Sequence, residues 1–415
     1  RRHHDLLEDR ERPRVAPPHA RHLRQLSEAM RARTPLSRRR LSAGLSLVEI
    51  LVGVAIGLIG IVAIFQAVAV WTKHTQTTSS GGDAQVAGTL ALFSIERDLK
   101  QAGHGFGRAA APVMGCQVAA TDTTPPRAFP FGLRAVEIAA SAGGAPDRIS
   151  MLAGDSSFYV EEQTFTDSTA TTKKLRRRGG FKRGDLAVVA VNPGASAATA
   201  SCELIEVNDD TDPNNYIGHS TAPYVSFYGG ASAPAVAPRF NSAASAPVFL
   251  SGTIYNLGPR PRLDEWRIQN SRLIRTELLF DSTVARQIAE GVINLKAEYG
   301  VDSNGDGQIS ATEWVTAAPS DWRSLLAIRV AVLVRSRQYE RNGDPGASGV
   351  RAVTPTARNP NYFGDPTRTF LMTNVDGSTD SFDDATADPN NWRYYRYRVY
   401  ERVIPLRNML WGTFE

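Results

Sequence analysis

Apolar and polar positions divide the chain into three stretches of different rhythm. Residues 1–44 carry no hydrophobic period and end in Arg38-Arg39-Arg40, so they read as a polar, unfolded cytoplasmic leader. From Leu45 to Trp71 the chain is almost entirely apolar, interrupted by Glu49 and Gln66. Ile50 to Val70 supplies 21 residues, and a helix crossing a bilayer core needs about 20. Arginines before this run and a polar stretch after it predict one pass with the amino terminus inside the cell. Gly53, Gly57 and Gly60 add the small-residue spacing that lets helices approach closely.

Past Trp71 a polar, Gly-containing stretch leads into Leu92, Ile95, Leu99 and Ala102, which share one helical face. Gly103, Gly105 and Gly107 are placed to end that helix. The spacing predicts a helix over about 45–102, softened near Ser79–Gly82, with its second half packed on the head. From residue 110 onward the period is that of strands, with candidates at 134–140, 148–153, 184–191, 202–207, 224–228, 248–256, 264–269, 272–280, 291–299, 325–337 and 393–404. In 325–337, Leu326, Ile328, Val330, Val332 and Val334 face one way and Arg329, Arg335 and Arg337 the other. Ala/Ser/Gly/Pro-rich connectors at 192–201 and 229–247, and a polar insertion at 340–391, read as loops. The expected fold class is α+β: a long N-terminal helix with a mainly antiparallel, β-rich body over 108–415.

Charge changes the picture less than the total suggests. The chain carries +5, but residues 1–44 hold twelve Arg against five acids, so the remainder is slightly acidic. The basic balance belongs to the leader and does not point to DNA as a partner. Two cysteines, Cys116 and Cys202, are the whole thiol inventory. In an oxidising compartment they are disulfide candidates, and in a reducing one two half-buried thiols.

Enzyme motifs are missing: no GxSxG, phosphate-binding loop with GK[ST], HExxH or CxxC occurs, and the seven His are scattered. "GHGFG" at 103–107 follows a helix rather than a strand, the wrong context for a phosphate cradle. The chain reads as a non-enzyme. "DSNGDGQISATE" at 302–313, by contrast, fits the twelve-residue calcium loop at every specified position. Asp302, Asn304 and Asp306 offer side-chain oxygens, Gln308 its carbonyl, Ser310 a held water and Glu313 a bidentate carboxylate. Gly307 permits the sharp turn and Ile309 is the apolar anchor. The strand-like segment before it predicts a lone Ca2+ loop rather than a paired sensor, and an ordinary Asp/Asn/Gly turn is the plain alternative. The Arg- and Tyr-rich segment 393–404 reads chiefly as a solvated sheet face, with a grip on DNA or an acidic partner as the sharper alternative.

Ala43-Gly44 precedes the apolar run, whereas an ordinary signal peptide has its small residues after it. Gly44-Leu45-Ser46-Leu47-Val48-Glu49 resembles the class III signal of type IV pilins and type II secretion pseudopilins, with Leu45 where Phe is more usual. "FSIERDLKQAGHGFG", "RLIRTELL", "LLAIRVAVLVRSR" and "YRYRVYERVIPLRNMLW" resemble the corresponding blocks of PilW-type minor pilins; no such block covers 108–250. The resemblance implies cleavage by prepilin peptidase between Gly44 and Leu45, with methylation of the new amine. It divides the chain into a leader (1–44), a transmembrane and filament-core half-helix (45–71), a periplasmic half-helix with its turn (72–107) and a head (108–415). Glu49, costly alone in a bilayer, would meet the amine of a neighbouring subunit. The implied setting is the inner membrane, then the periplasm or the pilus on the surface of a Gram-negative cell. Its implied partners are other minor and major pilins and a tip adhesin, and its implied task is priming assembly at the tip. A type II secretion pseudopilin, or a calcium-dependent adhesin held by one helix, are the alternatives.

Overall fold

The structure is a computed structural model, and it describes residues 46–410 except 108, 111–112, 159–161, 192–200, 231, 243–248, 281–283, 340–359 and 384–385, with the side chains at 73–74 and 76–81 also set aside. Leader residues 1–44, with Gly44, and Leu45 lie outside the described residues. The chain divides into two units, residues 1–69 and 70–415.

In the first unit the described chain is the front of helix α1 (Leu47–Leu99). A lipid-facing backbone must satisfy its own polar groups, and a run of Leu, Ile, Val and Ala does so as a helix. Leu47–Thr72 is long and apolar enough to cross a membrane, and none of it is buried within the protein.

The second unit holds the rest of α1, which runs unbroken through Ser79–Gly82 where the sequence predicts softening. An interior glycine costs only about 1 kcal/mol relative to alanine, and an established helix propagates past it. Ala84, Ala91, Leu92, Ile95 and Leu99 are buried. At Gly88 a Cβ would come within 2.3 Å of the Tyr400 ring, so the absent side chain is what lets that ring lie on the helix. Gly103 and Gly105, both left-handed (φ 81° and 94°), end the turn after α1.

The strands in chain order are β1 (Gln117–Thr123), β2 (Pro126–Gly132), β3 (Val136–Ala139), β4 (Arg148–Ala153), β5 (Gln163–Thr166), β6 (Thr172–Leu175), β7 (Leu186–Val191), β8 (Ser201–Glu206), β9 (Tyr216–Gly218), β10 (Gly252–Gly258), β11 (Arg262–Gln269), β12 (Arg272–Glu277), β13 (Ala285–Glu290), β14 (Val292–Val301), β15 (Trp314–Val315), β16 (Leu325–Arg335), β17 (Asn361–Tyr362), β18 (Asp365–Thr369) and β19 (Tyr397–Pro405). They form sheets ordered β2-β1-β8-β7-β10-β5-β6-β9, β13-β12-β11-β4-β3 and β15-β14-β16-β19, with β17-β18 as a separate hairpin. Pairing is antiparallel except between β1 and β8, which run parallel at Val118↔Cys202 and Ala119↔Glu203. Cys116 and Cys202 are joined by a disulfide at that junction, with Cα atoms 6.2 Å apart. The chain is thus α+β, an apolar N-terminal helix with a largely antiparallel β body.

The main core packs the second half of α1 against the second and third sheets through Leu92, Ile95, Leu99, Trp266, Leu295 and Val330, among others. Strand β16 departs from its one-sided reading. Val330 and Val332 enter the main core, while Ala331 and Leu333 bury the other face against Phe370, Met372 and Trp392. A strand covered on both faces needs a nearly continuous apolar run, and LLAIRVAVLVR is one. The covering comes from the second half of the expected loop 340–391, which packs as a strap through Phe370 and Met372. Expected strand 224–228 is instead a bridge at Tyr224 and a 3₁₀ turn, Phe227–Gly229, because the Ser226 hydroxyl accepts from the Tyr228 amide. Expected strand 393–404 begins at Tyr397. Before it, Trp392–Tyr394 form a 3₁₀ turn whose Asn391 side chain accepts from the Arg393 amide.

Candidate functional site

Glu49 lies in the first turn of α1 and is exposed. The Ser46 carbonyl accepts from the Glu49 amide (2.9 Å) and the Ile50 amide (3.1 Å), which opens the helix just ahead of the carboxylate. A negative charge there complements the positive end of the helix dipole. Around it Leu47, Val48, Ile50, Leu51 and Val52 are all more than half exposed. This end of the chain offers an apolar surface with one acid in it, and unit one supplies no partner for either among its described residues.

The rear of α1 is built differently. Asp98 is fully buried, and its carboxylate receives Arg262 of β11 (2.9 Å) and Arg275 of β12 (3.2 Å). Arg262 also bonds Asp264 on its own strand. Glu96, one turn from Lys100, binds Lys100 at 2.6 Å and Arg402 of β19 at 2.6 Å. These pairs fix helix to sheets, and the sequence signal for them is faint: isolated acids and arginines separated by more than 150 residues.

The loop 302–310 connects β14 to the 3₁₀ turn Ala311–Glu313, and β15 returns to pair Gly300 with Trp314. Asp302 accepts from the amides of Gly305 (2.7 Å), Asp306 (3.1 Å) and Gly307 (2.8 Å). Asn304 Oδ1 accepts from the Asp306 amide, and Asp306 Oδ1 from the Gln308 amide at 2.8 Å. Gly305 and Gly307 take left-handed φ of 75°, which turns the loop sharply. Ile309 rests on Gly300, where a Cβ would meet its Cδ1 at 2.7 Å. Glu313 is buried and closes the loop from below. Its Oε1 accepts from the Ser303 amide (2.9 Å) and hydroxyl (2.6 Å), and its Oε2 from the Ser310 amide (2.8 Å). The Ser303 hydroxyl bond, with these amides, holds the Glu313 carboxyl down at about 2. The oxygens of Asp302, Asp306 and Glu313 are thus turned toward the loop's own donors. Among the described residues no three His, Cys, Asp or Glu side chains gather into a metal-binding group.

The Arg/Tyr segment presents its expected solvated face in part, since Arg396, Arg398 and Arg402 are exposed, while its other members turn inward. Arg393 is buried on Asp380 in a two-pronged pair (2.6 and 2.5 Å), Tyr394 is fully buried, and Tyr400 lies on α1. Motif reading passes over another run: Lys173 to Arg183 holds seven basic residues in eleven, a signal plain in the sequence.

Residues 265–408 match the family model described as type IV pilus-assembly protein W. No curated protein matches the chain. Among solved structures, the type IV-like pilin TTHA1219 from Thermus thermophilus is similar at 8% identity with a TM-score of 0.29, covering 77% of this chain and 94% of that one, too loose a likeness to argue from. Family members are structural components of the pilus rather than enzymes. The segment from β11 through β19 to the turn after it, residues 265–408, is thus similar to type IV pilus-assembly protein W.

Proposed function

We propose that the chain is a minor pilin of a type IV pilus. Prepilin peptidase cuts after Gly44 and methylates Leu45, the span 47–72 holds the subunit in the inner membrane, and assembly with other minor and major pilins begins from it at the tip. The observation that carries this reading is the exposed 26-residue apolar span with Glu49 in its first turn, on a chain whose carboxyl-terminal third matches a pilus-assembly family. A carboxylate in the bilayer is costly, by roughly 2.5–3.5 kcal/mol on insertion scales, and a cationic amine from the next subunit would offset it.

The test is complementation of a deletion strain. Loss of sheared surface pili, restored by the wild-type gene but not by Gly44→Val or Glu49→Ala, is the expected result. Normal piliation with lost protein secretion would replace the reading by a secretion pseudopilin. Surface adhesion that survives Gly44→Val would replace it by a helix-anchored adhesin.

The same proposal includes Ca2+ at 302–313, held by Asp302, Asn304, Asp306 and Glu313 with the Gln308 carbonyl and a water on Ser310. Hard oxygens at these positions and the left-handed Gly307 suit the flexible, six-to-eight-fold coordination of calcium. Binding would require Glu313 to exchange its Ser303 and Ser310 donors for the cation. Calcium against chelator should raise the melting temperature of the wild type and not of Glu313→Gln. An unchanged wild type, or an equal rise in the variant, rules the site out.

A further inference from the structure

The turn between β6 and β7 concentrates positive charge on a body that is slightly acidic as a whole. Lys173 points inward to His219 (3.0 Å), Lys174 pairs with Asp167 (3.8 Å) and Arg183 with Asp210 (3.0 Å). That leaves Arg176, Arg177, Arg178 and Lys182, none of which is in an ion pair among the described residues. Arg176 and Arg177 are exposed, and Arg178 Nη1 is shut from solvent without an acceptor.

Beside this turn stands an aromatic group. Phe158, Phe227 and Tyr228 are 37%, 46% and 42% exposed, with Val225 36% exposed next to them. Two of them are anchored: the Arg183 carbonyl accepts from the Phe227 amide (2.9 Å), and the Tyr228 hydroxyl donates to Asp185 (2.6 Å). We propose that the turn 176–183 and these apolar side chains form a docking surface for an anionic lipid bilayer, one other than the bilayer its own apolar span enters.

Charge selects a polyanion, and the rings decide which. Base stacking needs open ring faces. Here Lys182 Nζ lies over both Phe158 (5.4 Å) and Phe227 (5.1 Å), and Phe227 meets Phe158 and Tyr228 edge to face. What remains outward is apolar ring edge and Val225 beside the basic turn, a combination suited to a headgroup interface. Place decides which bilayer. Gly180 accepts from Asn256 (2.6 Å), and the Asn256 carbonyl packs on Gly105. The turn therefore sits by the carboxyl end of α1, about 40 Å along the helix from Thr72 at 1.5 Å per residue.

Full-length protein in phosphatidylcholine nanodiscs, fixed to beads, provides the test. The probes are fluorescent phosphatidylcholine vesicles with or without phosphatidylglycerol, and a single-stranded oligonucleotide. Capture of the anionic vesicles, weakened by salt, is expected. Arg176→Ser with Arg177→Ser and Arg178→Ser should cut it on the order of a hundredfold, from roughly fivefold per basic residue at an anionic surface. Arg177→Ser alone, at an exposed site, should cut it about fivefold, which keeps the test valid if the triple variant misfolds. Phe227→Ser should lower capture of vesicles at every salt concentration. Equal capture of neutral vesicles, capture indifferent to these changes, or turn-dependent binding of the oligonucleotide without vesicles overturns the proposal.

Discussion

The front and rear of α1 are one helix with opposite arrangements. At the front, Leu, Ile and Val are exposed, Glu49 is exposed, and Gly53, Gly57 and Gly60 have nothing within 4 Å of where a Cβ would stand. At the rear, Ile95 and Leu99 are fully buried, Asp98 is fully buried with Arg97, Arg262 and Arg275 on its carboxylate, and Gly88 is filled by Tyr400. The same residue types are therefore completed in two ways. The chain supplies the partners of its rear, whereas the front is composed for partners from outside: lipid first, then neighbouring subunits under the proposed function.

The largest effect should come from the two acids. Asp98→Ala leaves Arg262 and Arg275 short of a buried counter-charge, and breaking such a pair costs about 3–5 kcal/mol. Urea unfolding of the solubilised chain, followed by tryptophan fluorescence, should show that loss in full. Glu49→Ala should leave the same curve unchanged while abolishing incorporation into pili. A comparable loss of stability in both variants would erase the distinction between front and rear.

Glycines sharpen it at smaller scale. Gly88→Ala forces the Tyr400 ring from the helix, and overpacking of this kind costs about 1–3 kcal/mol. Gly57→Ala meets no neighbour in the protein, so the unfolding of the body should not change. If Gly57 is a close-approach point between helices, its cost will appear in the yield of assembled filament instead.

These contrasts explain what could be read from the sequence. The front was legible because composition alone dictates it: a 26-residue span this apolar, with an acid near its start, has few other uses. The helical face Leu92–Ile95–Leu99 and the run of β16 were legible for the same reason, a period imposed by burial. Short strands such as β5, β6 and β9 escaped because three or four residues establish no period, and their pairing is set by distant partners. Likewise, nothing near Asp98 announces arginines 164 and 177 positions away, and nothing in 393–396 announces that Asp380 will bury Arg393. The twelve-residue pattern at 302–313 fixed the loop's turn, but the pattern carries no information on whether Glu313 faces a cation or Ser303.

The last effect concerns pH and is spread over two pH units, and it belongs to the self-completed side of the comparison because it arises from titratable groups buried in the body. Burial drives His219 down to about 3, raises Glu203 to about 7 and lowers Lys173 to about 8. For His219 the unfolded chain binds a proton below its model value of 6.5 that the folded chain refuses until about 3, so stability falls as pH drops through that window. Glu203 acts in reverse: the folded chain keeps a proton from 4.5 up to about 7 that the unfolded chain releases, so stability falls as pH rises there. Between 4.5 and 6.5 the two slopes cancel, and the pair leaves stability level, with His219 alone acting below 4.5. His219→Gln keeps an acceptor for Lys173 but removes the compensating titration. Relative to wild type, its unfolding free energy should then decline with rising pH between 4.5 and 6.5, by up to one proton's slope, about 1.4 kcal/mol per pH unit. A variant that stays parallel to wild type across that range would mean that the His219 ring is not held neutral by its surroundings, and that this part of the interior is open to water.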